Sequence, residues 1–162
     1  NTTDDSNATN PIDSIDKANT TSGSSGNSMP TYKGFNVVGT IQIPTTKIEY
    51  PILEKVSKSS LETSVAMLYG AGINQAGNTV IIGHNYRNGL FFSNNKKLNN
   101  GDKIYITDNN KNKLTYTIYN KFETTPEDAS FYSRDTGGKP EITLSTCNDD
   151  SSKRLILFAK AD

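Results

Sequence analysis

The sequence contains one cysteine and one histidine among its 162 residues, and each ends a strand-like run. Cys147 ends the run EITLSTC (141–147), and His84 follows the apolar run TVIIG (79–83). Arg154 lies seven residues after Cys147, at the start of another apolar run. Because a short loop brings the ends of two antiparallel strands together, we expect Cys147 and Arg154 to be near neighbours. Side chains at strand ends can face a cleft while the sheet holds them rigidly.

These three residue types suit acyl transfer by a cysteine. A thiolate is the nucleophile, a histidine can protonate the leaving amine, and an arginine can stabilise the oxyanion with a fixed fork of donors. Each residue also has an ordinary interpretation: a buried cysteine, a structural histidine, and an arginine that is solvated or paired with Asp149 or Asp150. It is the combination that indicates a catalytic site. One cysteine and one histidine supply too few ligands for a structural zinc site.

The elements that would position these residues are short strands. Strand-like runs cover 35–43, 47–53, 78–85, 102–108, 113–123, 141–147 and 153–161, and 108–111 reads as a hairpin turn. The segment 59–68 predicts a short helix, and 125–132 predicts a capped helical turn. Seven or eight strands, two or three short helices and no repeat predict an all-β domain. A sandwich or a closed barrel would fit, and closure is favoured because it removes exposed strand edges.

Composition bounds the domain organisation and the partners. Residues 1–34 are mostly polar and begin with a thirty-residue stretch without aromatics, so we expect a polar tail or linker there. The folded unit is expected from about Thr31, with the barrel itself over 35–162. Seventeen basic and seventeen acidic residues cancel, and no Lys/Arg run exists, which argues against a nucleic-acid partner. No apolar window is long enough to span a membrane, and a single cysteine excludes an internal disulfide.

The cysteine strand resembles a known family. TLSTC (143–147) is similar to the TLxTC signature of sortases, cysteine transpeptidases of the Gram-positive cell surface. Arg154, opening the next strand, matches the family's arginine, and IGHN (82–85) resembles its Gly-His strand end. The order His, Cys, Arg is also that of sortases, and the resemblance covers roughly residues 35–161. It implies a closed sortase-type β-barrel.

The resemblance also implies an activity and roles for the site residues. Sortases cut an LPxTG-like sorting motif between Thr and Gly, form a thioacyl enzyme, and pass the acyl group to an amine of a cell-wall precursor or a pilin lysine. Cys147 would be the nucleophile, His84 the general acid/base and Arg154 the oxyanion holder, without a tight His–Cys hydrogen bond. The residues implied to bind substrate or support it are Thr146, Ser145 and Asn85.

Further expectations concern location and class. The polar tail would be a stalk to a removed N-terminal membrane anchor at the extracytoplasmic face. Residues 1–34 lack an Asp-Pro-aromatic motif, so no cleft-plugging lid is expected. The alternatives left open are a pilin-polymerising sortase, a cysteine hydrolase and a non-catalytic β-barrel surface binding module.

No cofactor is expected for this chain. Glu123, Glu127 and Asp128 are acidic residues ahead of the cysteine strand, but few acids lie near the His84 strand to complete a calcium site. Calcium stimulation is therefore not favoured. The loop between Thr124 and Pro140 is expected to form one wall of a peptide groove.

Overall fold

The computed structural model describes residues 29–85, 90–147 and 153–162, with Cys147 described for its backbone only. The predicted tail over 1–28 lies outside the described residues. A first strand, β1 (Thr31–Tyr32), pairs with the start of the second, β2 (Phe35–Ile43), so strand pairing is already present ahead of residue 35.

The described part of the chain is built mainly from strands. After β1 and β2 come β3 (Ile48–Leu53), β4 (Val65–Tyr69), β5 (Gly77–Gly83), β6 (Lys103–Asp108), β7 (Lys113–Thr124), β8 (Pro140–Cys147) and β9 (Arg154–Ala161). One α-helix, α1 (Lys58–Thr63), and two 3-10 helical turns at Pro44–Thr46 and Asn95–Lys97 complete the described secondary structure. No helix among these residues is long and apolar enough to cross a membrane.

A single sheet closes into a barrel. The strand order is β1-β2-β3-β4-β5-β8-β9-β7-β6, and an additional antiparallel pairing of β2 with β6 joins the two ends. Eight strands, β2 to β9, therefore form the ring, and β1 adds a short strand beside β2. The predicted closed all-β barrel is confirmed, and the predicted hairpin joins β6 to β7.

The barrel interior is mainly aliphatic. Ile81, Leu144 and Leu157, on the three strands nearest the candidate site, belong to one large buried cluster. Burying each such side chain contributes about 1.5–3 kcal/mol. A smaller cluster that includes Ala66 on β4 packs against Leu61 of α1, so the helix covers part of the outside of the sheet.

The helix predicted over 59–68 is too long. Ser57 and Ser60 form a capping box, in which the hydroxyl of each accepts the backbone N–H of the other at 3.0 and 2.8 Å. The helix ends at Thr63, and Val65–Tyr69 is strand β4 instead. Pairing of β4 with β5 supplies hydrogen bonds between strands that a longer helix would forfeit. Strand pairing therefore outweighs local helix propensity over Val65–Tyr69.

The helical turn predicted over 125–132 is also different in the structure. The segment forms two successive hydrogen-bonded turns, with Asp128 N–H donating to the Thr125 carbonyl and Tyr132 N–H donating to the Ala129 carbonyl, each at 3.1 Å. No continuous helix links them. The connection between β7 and β8 is therefore an irregular loop, 125–139.

Candidate active site

Strand register brings the three predicted chemical residues to one edge of the sheet. β5 runs parallel to β8, with Gly83 aligned to Thr146, so the next residues along the chain are His84 and Cys147. β8 runs antiparallel to β9, with Cys147 directly opposite Arg154. Neighbouring strands lie about 4.8 Å apart. Residues from three parts of the sequence therefore meet where β5 and β8 end and β9 begins.

Gly83 allows the chain to approach Phe92 closely just before His84. A Cβ added to Gly83 would lie 2.5 Å from Cδ2 of Phe92 and 2.9 Å from Cγ1 of Val65. Phe92 is fully buried, and its N–H donates to the His84 carbonyl at 3.1 Å. The backbone of His84 is thus held between the end of β5 and the segment that carries Phe92. Asn85, next along the chain, is partly buried.

The imidazole of His84 lies in a partly buried, charged environment. Burial lowers the pKa of His84 below its ordinary value, the negative charge of Glu62 opposes this, and the positive charge of Arg154 adds to it. Glu62 belongs to α1 and Arg154 opens β9. The histidine therefore lies within electrostatic range of both the acid and the arginine.

Arg154 is partly buried and has an unused donor. It lies opposite Cys147 on one neighbouring strand and opposite Thr124 on the other. Its Nε is buried and makes no hydrogen bond to any described residue. Leaving a buried donor without an acceptor is costly.

Ser145 and Thr146 lie beneath the edge rather than on it. They are 4% and 2% exposed, and the amide of Asn95, itself buried, donates to the Thr146 hydroxyl at 3.3 Å. That contact ties the strand next to Cys147 to the segment after Phe92. Substrate binding by Ser145 and Thr146 stays a prediction, and the burial of Thr146 favours a supporting role.

Loop 125–139 packs against the sheet beside this edge. Phe131 in the loop makes ring contacts with Phe122 of β7 and Phe158 of β9, at centroid distances of 5.7 and 5.6 Å. Arg134 contacts β8 at Glu141. Asp128 accepts hydrogen bonds from Thr124 and Ser130, which lower the pKa of its carboxyl, the Ser130 bond most. In the described ranges no three His, Cys, Asp or Glu side chains converge on a metal position.

A cleft of about 820 Å³ lies at the far end of β5. Tyr132 in loop 125–139 lines one side of it, and Tyr69 of β4, 41% exposed, lines another, with their ring centroids 5.5 Å apart. Gly77, at the start of β5, also lines it. Since β5 ends at Gly83, the cleft is roughly 20 Å from the His84 edge.

The family of the chain follows from comparison with known proteins. A family model described as the sortase domain matches residues 41–162, most of the chain. The chain belongs to the sortase family. The predicted resemblance is thereby confirmed, and so is its implied barrel.

Individual sortases give the same result. The chain is 35% identical over 124 residues to Sortase A of Bacillus anthracis, which covers 75% of this chain and 58% of that protein. It is 30% identical over 133 residues to Sortase A of Streptococcus agalactiae serotype III (strain NEM316), covering 78% and 53%. The chain thus spans little more than half the length of these relatives. A lid mutant of Sortase A from Corynebacterium diphtheriae matches with a TM-score of 0.71 and 30% identity, covering 79% of this chain and 71% of that chain.

The sortase barrel also uses residues that sequence analysis missed. Phe92 and Asn95 each form a hydrogen bond to the edge, and the charge of Glu62 acts on His84 at longer range. Asn95 is 51 residues from its partner Thr146, and no local pattern marks either Asn95 or Glu62 as part of a site. Only the Gly-His pair hinted at a close approach, because glycine in a strand interior often marks one.

Proposed function

We propose that this chain is a cysteine transpeptidase that cleaves an LPxTG-like sorting motif between Thr and Gly and passes the acyl group to an amine. The observation that carries the proposal is the strand register, which aligns Gly83 with Thr146 and pairs Cys147 with Arg154. The residues proposed as nucleophile, acid/base and oxyanion-binding cation therefore lie at adjacent strand ends. Membership of the sortase family supports the same reaction class.

Each residue has a defined step in the proposed reaction. The Cys147 thiolate attacks the threonine carbonyl carbon, and Arg154 donates hydrogen bonds to the oxygen as it becomes negative. Protonated His84 gives its proton to the leaving glycine nitrogen, the C–N bond breaks, and a thioester remains. An incoming amine then attacks the thioester, His84 takes its proton, and the cysteine sulfur leaves. The unpaired Nε of Arg154 supports its role.

The proposed partners follow from this chemistry. The donor is the sorting signal of a surface protein, and the acceptor is an amine of a cell-wall precursor, with a pilin lysine as the alternative acceptor. The reaction would take place at the extracytoplasmic face of a Gram-positive membrane.

We further propose that the reaction needs no divalent cation. Both oxygens of Asp128 already accept hydrogen bonds within loop 125–139, from Thr124 and from Ser130, so this carboxylate stabilises the loop directly. Cleavage rates measured with EDTA and with added calcium should agree. A rate that falls in EDTA and returns with calcium would contradict the proposal.

The test of the proposed function is a quenched-fluorescence assay with LPxTG-type peptides, followed by mass spectrometry. Wild-type protein should cleave after Thr, and oligoglycine should convert the product to the amine-linked species. Cys147→Ala should abolish cleavage and labelling by a thiol-directed sulfonate probe. Cleavage that yields only the free acid, whatever amine is present, would indicate a hydrolase. No cleavage across a motif panel would favour a binding module.

A further inference from the structure

We propose that Arg134 is a positioning residue that fixes loop 125–139 against the sheet and so sets the affinity and selectivity for the peptide. The proposal rests on the proposed function and on the sequence-based expectation that this loop forms one wall of the peptide groove. Arg134 does not touch the reacting atoms. It acts through the loop that carries it.

The guanidinium of Arg134 makes three different hydrogen bonds to strand β8. Its Nε donates to a carboxylate oxygen of Glu141 at 3.1 Å, its Nη1 donates to the Thr143 hydroxyl at 2.6 Å, and its Nη2 donates to the Ile142 carbonyl at 3.3 Å. These acceptors are three consecutive residues of one strand. The planar fork of an arginine can bridge such a set, whereas the single ammonium of a lysine cannot.

The surroundings of Arg134 strengthen these bonds. The side chains of Arg134 and Glu141 are only 15% and 12% exposed, so their ion pair is largely shielded from water. The guanidinium also lies over the ring of Phe158 on β9, 3.7 Å from its centroid. A stacked, hydrogen-bonded and shielded pair is worth more than an exposed surface ion pair, which contributes about 0–1 kcal/mol.

A second attachment closes a circuit between the loop and both strands that lead to the candidate site. The Thr143 hydroxyl, which accepts from Arg134, donates to the Asn78 side-chain oxygen at 2.9 Å. The Asn78 amide in turn donates to the carbonyl of Tyr132 in the loop, also at 2.9 Å. The loop is therefore bonded to β8 and to β5, the strands that end at Cys147 and His84.

This circuit has a kinetic consequence. Loop 125–139 contains no regular secondary structure beyond turns, so without Arg134 a bound peptide would have to order it and lose affinity. Thr143 lies four residues before Cys147, roughly 13 Å along the strand, so the reacting groups keep their geometry. Loss of Arg134 should raise KM and leave kcat nearly unchanged.

The test compares Arg134→Ala and Arg134→Lys with wild type. In Arg134→Ala, KM for an LPxTG-type peptide should rise roughly 10–100-fold, as expected for loss of hydrogen bonds to a charged group, with kcat within about twofold. The KM of Arg134→Lys should lie between those of wild type and Arg134→Ala. Backbone hydrogen exchange should accelerate within 125–139 and remain slow in β8 and β9. Discrimination between peptides that differ upstream of the cleaved bond should also weaken, because the expected groove wall is held less firmly.

Lys103→Ala is the matched control, because it removes an ion pair, with Asp162, whose side chains are 46% and 47% exposed. It should change neither KM nor exchange in the loop. Unchanged loop exchange in both Arg134 variants, or a fall in kcat at constant KM, would overturn the proposal. If Arg134→Ala does not fold, Arg134→Lys decides. Absence of cleavage by wild type would refute the proposed function. Hydrogen exchange in loop 125–139 would still test whether Arg134 fixes the loop.

Discussion

At the residue scale, the guanidinium of Arg154 has a hydrogen-bond donor that no described residue uses. Its Nε is buried and makes no hydrogen bond to a described residue, although burying an unsatisfied donor costs about 1–3 kcal/mol. That cost is understandable if the donor is preorganised for a charge that develops only during reaction, because a preorganised donor needs no rearrangement at that moment. Burial lowers the pKa of the nearby His84 most, and the positive charge of the same guanidinium lowers it further.

Arg154→Lys should therefore lower the cleavage rate about a hundredfold to a thousandfold, because the charge remains while the fork of donors is lost. The measurement is kcat/KM with an LPxTG-type peptide. Lys153→Arg, at the exposed neighbouring position, is the control and should behave like wild type. A loss smaller than tenfold for Arg154→Lys would mean that Arg154 does not hold the oxyanion.

The pKa of His84 gives a second prediction, and the chain's single histidine makes it easy to observe. NMR titration of the imidazole should give a pKa below the ordinary 6.5, chiefly because of burial. Glu62→Gln should lower the pKa further, since the glutamate charge raises it, whereas Arg154→Met should raise it. A value at or above 6.5 in the wild type would contradict the environment described for His84.

The lowered pKa of His84 also determines the direction in which stability changes with pH. A histidine whose folded-state pKa is lowered binds protons less readily in the native than in the unfolded state. Its contribution to stability is therefore complete above the unfolded pKa of about 6.5 and declines as the pH falls below that value. Urea unfolding at a series of pH values would show the decline, and Glu62→Gln should enlarge it.

The sequence could identify the residues that do the proposed chemistry but not those that hold them. His84, Cys147 and Arg154 stand out because two are unique residue types and all three lie at strand ends. Asn95 and Glu62 do not, because asparagines and glutamates are common and their roles depend on contacts made only after folding. Ser145 and Thr146 were read from a motif, and the structure places both beneath the surface.

At the element scale, the end of β5 depends on a glycine. Gly83→Ala would place a Cβ 2.5–2.7 Å from the ring of Phe92 and 2.9 Å from Val65, so either the ring or the strand must move. Overpacking of this kind typically costs about 1–3 kcal/mol. Urea unfolding should show that loss, and cleavage activity should fall as well, because His84 follows Gly83 directly.

A double-mutant cycle separates this clash from other effects of the substitution. Phe92→Ala removes Cγ and Cδ2, the ring atoms nearest to the new Cβ, so Gly83→Ala should cost less in the Phe92→Ala background than in wild type. Coupling between the two positions should be favourable by about 1 kcal/mol or more. Additive losses would show that the two residues do not compete for the same space.

Secondary structure was predictable where period and composition agree, and less so elsewhere. The runs at 35–43, 102–108 and 141–147 alternate or are rich in β-branched residues, and they form β2, β6 and β8. The segment 59–68 contains a capped helix followed by a strand, and only pairing with β5 separates them. Loop 125–139 contacts β8 through Arg134 and β9 through Phe131, and turn propensity alone does not specify these contacts.

At the scale of the whole molecule, closure of the barrel was predictable but its order was not. The need to cover strand edges favours a closed ring for any such set of strands. Composition cannot say that β5 pairs in parallel with β8, about sixty residues later, with Gly77 aligned to Pro140. That pairing depends on the complementary packing of both strands, and it is also what brings His84 next to Cys147. The parallel pairing of β5 with β8 therefore contributes both to closing the barrel and to assembling the candidate site.

The last prediction concerns the pairing of β2 with β6, the seam that closes the barrel. Gly39 of β2 pairs with β3 and with β6, and a Cβ there would lie 2.7 Å from the Thr107 carbonyl oxygen and 3.2 Å from Ile73. Gly39→Ala should push β2 from β6 and destabilise the fold by about 1–3 kcal/mol. Hydrogen exchange should accelerate first in β2 and β6, while β8 and β9 stay protected. Gln42→Ala, an exposed position on the same seam, should stay within about 0.5 kcal/mol of wild type. Equal acceleration in all strands would mean that this seam opens only when the whole barrel unfolds.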